Sequence, residues 1–177
     1  MPTIFTHAFF ATVTGKSFFK EPVSAWFWLL TALCAMIPDA DVIGFSFRVS
    51  YGSMFGHRGF THSIVFAVFF GTFAALVARR FLKTGLPLPV LILFFSCATL
   101  SHPLLDMLTN GGLGVALFAP FSSERFFFPW RPVEVSPIGF GFFSRQGFGV
   151  ILSEFIWVWL PAIAIFSLAF IFRRFKK

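Results

Sequence analysis

VILSEFIWVWLPAIAIFSLAFIF, residues Val150–Phe172, runs straight into Arg173-Arg174. A helix needs about 20 apolar residues to cross a bilayer, and this stretch is long enough. Three more apolar stretches precede it. Val23–Ile37 is stopped by Pro38, Ser63–Ala78 by Arg79-Arg80, and the third runs from about Pro87 to Leu108. The first two are short, so they must borrow from their flanks or sit in a bundle that thins the bilayer. Ile4–Val13 is shorter still and reads as a half-buried helix. The expected fold is therefore an all-α membrane protein: about four transmembrane helices, a short N-terminal helix, and an irregular outward loop with room for one β-hairpin. All of it forms one membrane-embedded domain over residues 1–177.

Composition points the same way. Hydrophobic residues make up 57% of the 177 positions and charged ones 12%, against about 25% charged in soluble domains. There are 31 Phe and a single Tyr, so the aromatic excess is apolar rather than hydrogen-bonding. The net charge of +7 does not indicate nucleic acid, because the cations cap apolar runs instead of forming one basic stripe. Anionic lipid headgroups are the better partner. Cys34 and Cys97 both lie inside apolar runs and read as packing residues. Met1–His7 has no basic n-region and no cleavage site, so it is expected to stay in the mature chain.

If the spans alternate, Lys16, Lys20, Arg79, Arg80, Lys83, Arg173, Arg174, Lys176 and Lys177 share one side of the membrane. Arg48, Arg58, Arg125, Arg131 and Arg145 fall on the other. Basic residues accumulate on the cytoplasmic side, which puts both termini inside and makes the loops Pro38–His62 and Thr109–Gly149 face outward. In the second loop Gly111-Gly112, Pro120, Pro129, Pro132 and Pro137 break up short runs such as Arg125–Trp130 and Val133–Val135.

The chain has four His, and they cluster with its three Asp. Asp39 and Asp41 stand where the first span ends, His57 and His62 where the second begins, and His102 and Asp106 in the latter part of the third. Those three places share one membrane face. His102 and Asp106, four apart, lie on one side of a helix and can share an ion. Asp39-x-Asp41 suits a turn, with one carboxylate as ligand and the other bridging or orienting a ligand His. Singly, each residue has a plain structural reading, as a helix–helix hydrogen bond or a solvated cap. Together, ionisable groups at about 2.5 kcal/mol or more each in a membrane call for a shared purpose. Imidazole and carboxylate together suit a divalent metal, zinc first, with manganese or iron as alternatives. Arg58 and Arg131 can hold an anionic group of a substrate or snorkel to headgroups. Thr61, Ser63, Ser101 and Thr109 can support ligands or bond to helix carbonyls. Glu124 and Glu134 are candidate general bases.

The blocks Thr6-His7, Pro38-Asp39-Ala40-Asp41, His57-Arg58-Gly59-Phe60-Thr61-His62-Ser63 and Ser101-His102-Pro103-Leu104-Leu105-Asp106 carry a resemblance over nearly the whole chain. Ala119-Pro120-Phe121-Ser122 to Pro129-Trp130-Arg131-Pro132 extends it. The chain resembles the bacterial inner-membrane, metal-dependent hydrolases called YdjM-like, also described as LexA-binding. The resemblance implies a membrane-embedded helical hydrolase in the bacterial inner membrane and a LexA association, for which the chain shows no recognisable motif. The order of candidate ligands is also similar to the zinc-dependent phospholipase C and P1 nuclease class: His7, Asp39 or Asp41, a His, then His102-x-x-x-Asp106. No His follows His102, so one or two ions are expected rather than three. His7 stands nine residues before Lys16, a helical rise of about 13 Å, and joins the site only if that site is sunken or Lys16 snorkels.

The expected metal ligands are His7, Asp39, Asp41, His57, His62, His102 and Asp106. Asp41, His62 and Arg58 are the expected catalytic groups, in hydrolysis of a phosphoester or ester of a lipid or lipid-linked substrate by a metal-activated water. The alternatives are a metal-ion or proton transporter, disfavoured by inward half-spans nearly free of polar residues, and a non-catalytic scaffold with a structural metal. The His-Glu-x-x-His pattern of metalloproteases is absent, and so is a Gly-x-Ser-x-Gly elbow.

Overall fold

The computed structural model describes residues 1–19, 23–137 and 145–175. Thr3, Ser24 and Ser63 each sit in extended backbone just before a helix. Their side-chain oxygens accept from the N–H groups of Thr6, Phe27 and Phe66, satisfying donors that a helix start leaves orphaned. These caps open α1 (Ile4–Lys16), α2 (Ala25–Met36) and α3 (Ile64–Phe81). α4 (Leu88–Asp106) instead opens on proline, which lacks the N–H that would go unpaired there. The last span is continuous from Arg145 to Phe175. It comprises α5 (Arg145–Glu154), a π-helical stretch Phe155–Trp159 and α6 (Leu160–Phe175).

Pro38 does not stop the first span. It occupies the first turn of a 3-10 helix, Ile37–Phe47, where its missing N–H costs nothing. The span therefore runs Ala25–Phe47, and Asp39 and Asp41 lie on a tight helix rather than in a turn. Among the described residues four helices are thus long and apolar enough to cross a membrane: Ala25–Phe47, Ile64–Phe81, Leu88–Asp106 and Arg145–Phe175.

The bundle is held together by close helix approach. In α3 the buried residues are Ala67, Gly71, Ala74, Ala75 and Ala78, a stripe of small side chains that lets α4 come near. A Cβ on Gly71 would run into the backbone of Ser96, so this crossing depends on glycine. Beyond it Phe27, Leu91 and Phe95 fill the core, with Phe19, Trp28 and Phe94 packed around them. The last span buries little of itself and meets the bundle chiefly through α1. α2 ends, α3 begins and α4 ends on one face, which leaves that end of the bundle to the polar residues.

No β-hairpin forms among the described residues. Val115 pairs with Phe126 in a single antiparallel bridge and Thr109 with Val133 in a parallel one. Phe128 N–H donates to Met107 O at 2.9 Å and Val133 N–H to Leu108 O at 3.2 Å. The extended runs thus bond to the end of α4 and the chain just after it rather than to each other, while Pro129 and Pro132 have no N–H for a ladder.

Candidate metal centre

His102 sets the frame. Its Nδ1 lies 2.7 Å from the carbonyl of Ala35, an acceptor, so Nδ1 carries the proton and the Nε2 lone pair points away from α2. His62 is gripped likewise from its other end. Its Nδ1 faces Asp41 Oδ2 at 3.2 Å, and its Nε2 meets His102 Nε2 at 3.1 Å. Two imidazole lone pairs facing each other at that distance repel unless a cation or a proton sits between them. Asp39 Oδ1 stands 3.2 Å from His102 Nε2 and 3.7 Å from His62 Nε2. Asp106 Oδ2 stands 3.5 Å from His62 Nε2 and 3.9 Å from His102 Nε2. Zinc bonds of about 2.0–2.2 Å to nitrogen and oxygen imply donors roughly 3.3 Å apart around a tetrahedral ion. The donors of Asp39, His62, His102 and Asp106 have the right separations, types and burial to hold one metal ion.

Burial makes the case chemical. Both oxygens of Asp39 and of Asp106, both ring nitrogens of His7 and the Nε of Arg58 are buried without a hydrogen bond. Buried polar groups are nearly always paired, and an unpaired ionised carboxylate is costly. The fixed cation at hand is Arg58, whose Nε lies 3.1 Å from Asp106 Oδ2 without hydrogen-bond alignment. Two buried carboxylates against one guanidinium leave a negative charge that a further cation, a proton on His62 or a divalent metal in its place, would offset.

Asp41, His57 and His62 form an adjoining group sharing His62. His57 Nδ1 donates to Asp41 Oδ1 at 2.7 Å, and Thr61 Oγ1 donates to Asp41 Oδ2 at 2.7 Å. Asp39 and Asp41 thus take opposite ends of one imidazole: Asp39 stands beside the His62 Nε2 and Asp41 beside its Nδ1. His62 lies just outside the spans. Burial lowers its pKa, but Asp106, Asp39 and Asp41 outweigh this and raise it well above 6.5.

His7 does reach the centre. Its ring stacks on His102 with centroids 3.7 Å apart, and its Nε2 is 3.5 Å from Asp106 Oδ1. The obstacle of helical rise is met because the centre is sunken: His102 lies a full turn below the end of α4. Burial first, then the neighbouring His102, lowers the His7 pKa to about 4, so His7 offers a neutral ring.

Arg58 cannot take the role expected of it. It is fully buried and pairs with Asp106. Its Nη1 donates to Gly111 O at 3.1 Å and Leu113 O at 3.0 Å, and its Nη2 to Thr109 Oγ1 at 3.0 Å. Four of its five N–H groups are directed at acceptors inside the protein, and full burial shuts the fifth off from the surface. It serves instead as the internal counter-charge and as the tie that holds the second loop over the centre. Gly112, at φ +79°, makes the left-handed turn that aims those carbonyls at it. Arg131 is exposed and lies over Phe127, 4.8 Å from the ring centroid. Glu124 and Glu134 are exposed and belong to neither ligand group. Ser63 and Ser101 serve helix backbone, Ser101 by donating to Ala98 O at 2.7 Å.

A compositional profile of a membrane protein underlies a named kinship. The model of the YdjM inner membrane protein family matches residues 1–176. The chain belongs to that family. It is 40% identical over 175 residues to the inner membrane protein YbcI of Escherichia coli (strain K12), covering 98% of this chain and 100% of that protein. No solved structure matches the chain. This is thus an inner membrane protein with a buried His/Asp group able to bind a metal.

One element of the site escaped sequence reasoning. Glu154, inside the last span, is 1% exposed. It accepts hydrogen bonds from the backbone N–H of Thr3, from Thr3 Oγ1 at 2.8 Å and from Thr6 Oγ1 at 2.6 Å. Trp159 Nε1 donates to Thr6 Oγ1 at 2.7 Å. These bonds pin the start of α1 one residue before His7. The signal was available: Glu154 is the one carboxylate within Val150–Phe172, and carboxylates at membrane depth are costly unless paired.

Proposed function

We propose that the protein is a membrane-bound, metal-dependent hydrolase acting on a phosphoester or ester of a lipid or lipid-linked substrate. The observation carrying this reading is the convergence of buried donors from Asp39, His62, His102 and Asp106 around one point, with all four oxygens of Asp39 and Asp106 lacking a hydrogen bond. A divalent cation held there would supply Lewis acidity, lowering the pKa of a water and offsetting charge on an oxyanion. Zinc best suits two imidazoles and two carboxylates in near-tetrahedral spacing.

The protein's own residues have distinct tasks in this reading. Ala35 O and Asp41 hold His102 and His62 in the tautomers that turn Nε2 inward. Arg58 offsets Asp106. The Asp41–His57 pair, a histidine backed by a carboxylate, is built to take and return a proton. Of this pair His57 is buried and Asp41 is half-buried, which places it nearer the surface than His102 and Asp106. A purely structural metal would need only four closed ligands, and the adjoining His7, His57 and Asp41 exceed that need. The bias of basic residues puts the centre on the outward side and the C-terminus in the cytoplasm. The N-terminus departs from that expectation, because Met1 O accepts from the Ser136 N–H of the outward loop and α1 descends from the centre towards Lys16.

The test is turnover. Protein loaded with zinc is incubated with vesicles of phosphatidylethanolamine and phosphatidylglycerol, and the released headgroups and lipids are quantified by mass spectrometry. Product that appears with wild type and is lost with His102→Ala supports the proposal. Equal product from both variants refutes the assignment of the centre.

A further inference from the structure

A cleft of about 340 Å³ opens between α4 and the last span, lined almost wholly by apolar side chains. α4 contributes Leu100 and Leu104, the turn after it Leu108, the last span Trp157 and Pro161, and α1 Phe10. The one hydroxyl in its wall, Ser101, is committed to Ala98 O. The cleft exists because α1 is wedged between these two spans and holds them apart. The π-helical stretch Phe155–Trp159 lies along its edge, a distortion often found where helices serve function.

Length, width and position identify the occupant. Along α4 the lining runs from Cys97 to Leu105, about 12 Å of helical rise, which fits within one leaflet of a hydrocarbon core of about 30 Å. A volume of about 340 Å³ with an apolar wall suits a single hydrocarbon chain better than a helix, which is about 10 Å across. The upper end at Leu108 and Phe128 is level with the His/Asp centre, just beyond Asp106. Adjacent residues join the two: Phe128 lines the cleft, while Phe127 lies against Arg58, 6.0 Å from ring centroid to guanidinium, and Arg58 pairs with Asp106.

We propose that this cleft seats one hydrocarbon chain of a lipid drawn from the leaflet on the side of the centre, and so sets the depth of that lipid's headgroup beside the centre. The seat stands on the cleft alone. That its occupant is a substrate rests on the hydrolase reading.

The experiment reconstitutes the full chain in phosphatidylethanolamine–phosphatidylglycerol vesicles carrying a phosphatidylglycerol with a mid-chain diazirine. After irradiation the adducts are mapped by peptide mass spectrometry, and metal content is measured on the same samples. Adducts should be severalfold enriched at Leu100, Leu104, Trp157 and Pro161 over the lipid-facing Phe69, Phe73, Leu168 and Phe172. Leu104→Trp, or the milder Leu104→Phe, should abolish the enrichment without changing the bound metal. Adducts spread in proportion to exposure overturn the proposal, as do chain-to-chain cross-links at the cleft, which would mean a second copy fills it. Enrichment in a protein that holds no metal upholds the seat and sinks the hydrolase reading. Bound metal with evenly spread adducts overturns the seat and leaves the metal centre standing.

Discussion

Asp41→Asn isolates what the carboxylate beyond the metal-facing donors contributes. Asn keeps the shape and one acceptor oxygen, so it can still accept from His57 Nδ1 or from Thr61. Its NH₂ cannot accept. Asp41 Oδ2 faces His62 Nδ1 at 3.2 Å and takes the Thr61 hydroxyl at 2.7 Å, so the amide nitrogen placed there meets donors. The His62 Nδ1 proton is then held only by Thr61 Oγ1 at 3.0 Å, so the tautomer that turns a lone pair on Nε2 towards the centre is less favoured. Removing a carboxylate that orients a ligand histidine costs about 10–100-fold in metal affinity, or roughly 1.4–2.7 kcal/mol. The assay is competition between the purified protein and a chromophoric zinc chelator in detergent at fixed pH. The expected result is unchanged stoichiometry with affinity weaker by that factor. Wild-type affinity in Asp41→Asn would refute the tautomer argument. Loss of one whole equivalent of zinc would show that Asp41 is a direct ligand of a second ion.

Arg58→Met keeps most of the side-chain volume but strips Asp106 of its partner and orphans the carbonyls of Gly111 and Leu113. Breaking a buried ion pair from one side costs about 3–5 kcal/mol, so thermal unfolding should occur at much lower temperature, partly restored by saturating zinc. A shift too small to measure would mean that Arg58 is not the internal counter-charge. Glu154→Gln and Trp159→Phe should weaken zinc binding only through His7. In a His7→Ala background neither should have a further effect, whereas additive losses would mean that they act elsewhere. The carboxylates raise the His62 pKa well above 6.5, so the metal-free centre holds a proton at neutral pH that zinc must displace. Zinc affinity should therefore fall as pH is lowered, and titration calorimetry in buffers of different ionisation enthalpy should show proton release. No buffer dependence would contradict this. Gly71→Val would force α3 away from Ser96, and a lowered unfolding temperature should accompany it.

The spans were legible because membrane crossing is a matter of length and hydropathy, which are local. Val150–Phe172 and Pro87–Leu108 announce themselves in that way. Pro38 was misleading because proline ends an α-helix yet fits the first turn of a 3-10 helix, and the choice between them depends on what Asp39 must reach. The gathering of Asp39, His62, His102 and Asp106 was legible from alternation of the spans alone. The role of Arg58 was not, since its partners Gly111, Leu113 and Thr109 lie more than fifty positions away in a loop without periodicity. Nor was the hairpin decidable, because the extended runs of that loop had two places to pair and took the end of α4. Glu154 could have been read from its isolation in an apolar span, but its partners Thr3 and Thr6 lie at the far end of the chain.

Elemental mass spectrometry of detergent-purified protein, wild type beside Asp39→Ala and His102→Ala, tests the central claim most directly. One or two equivalents of a transition metal, zinc foremost, should accompany the wild type and be lost from both variants. Wild-type protein without metal, even after reconstitution with zinc, would contradict the account and leave the buried His/Asp group as a polar brace within a membrane scaffold.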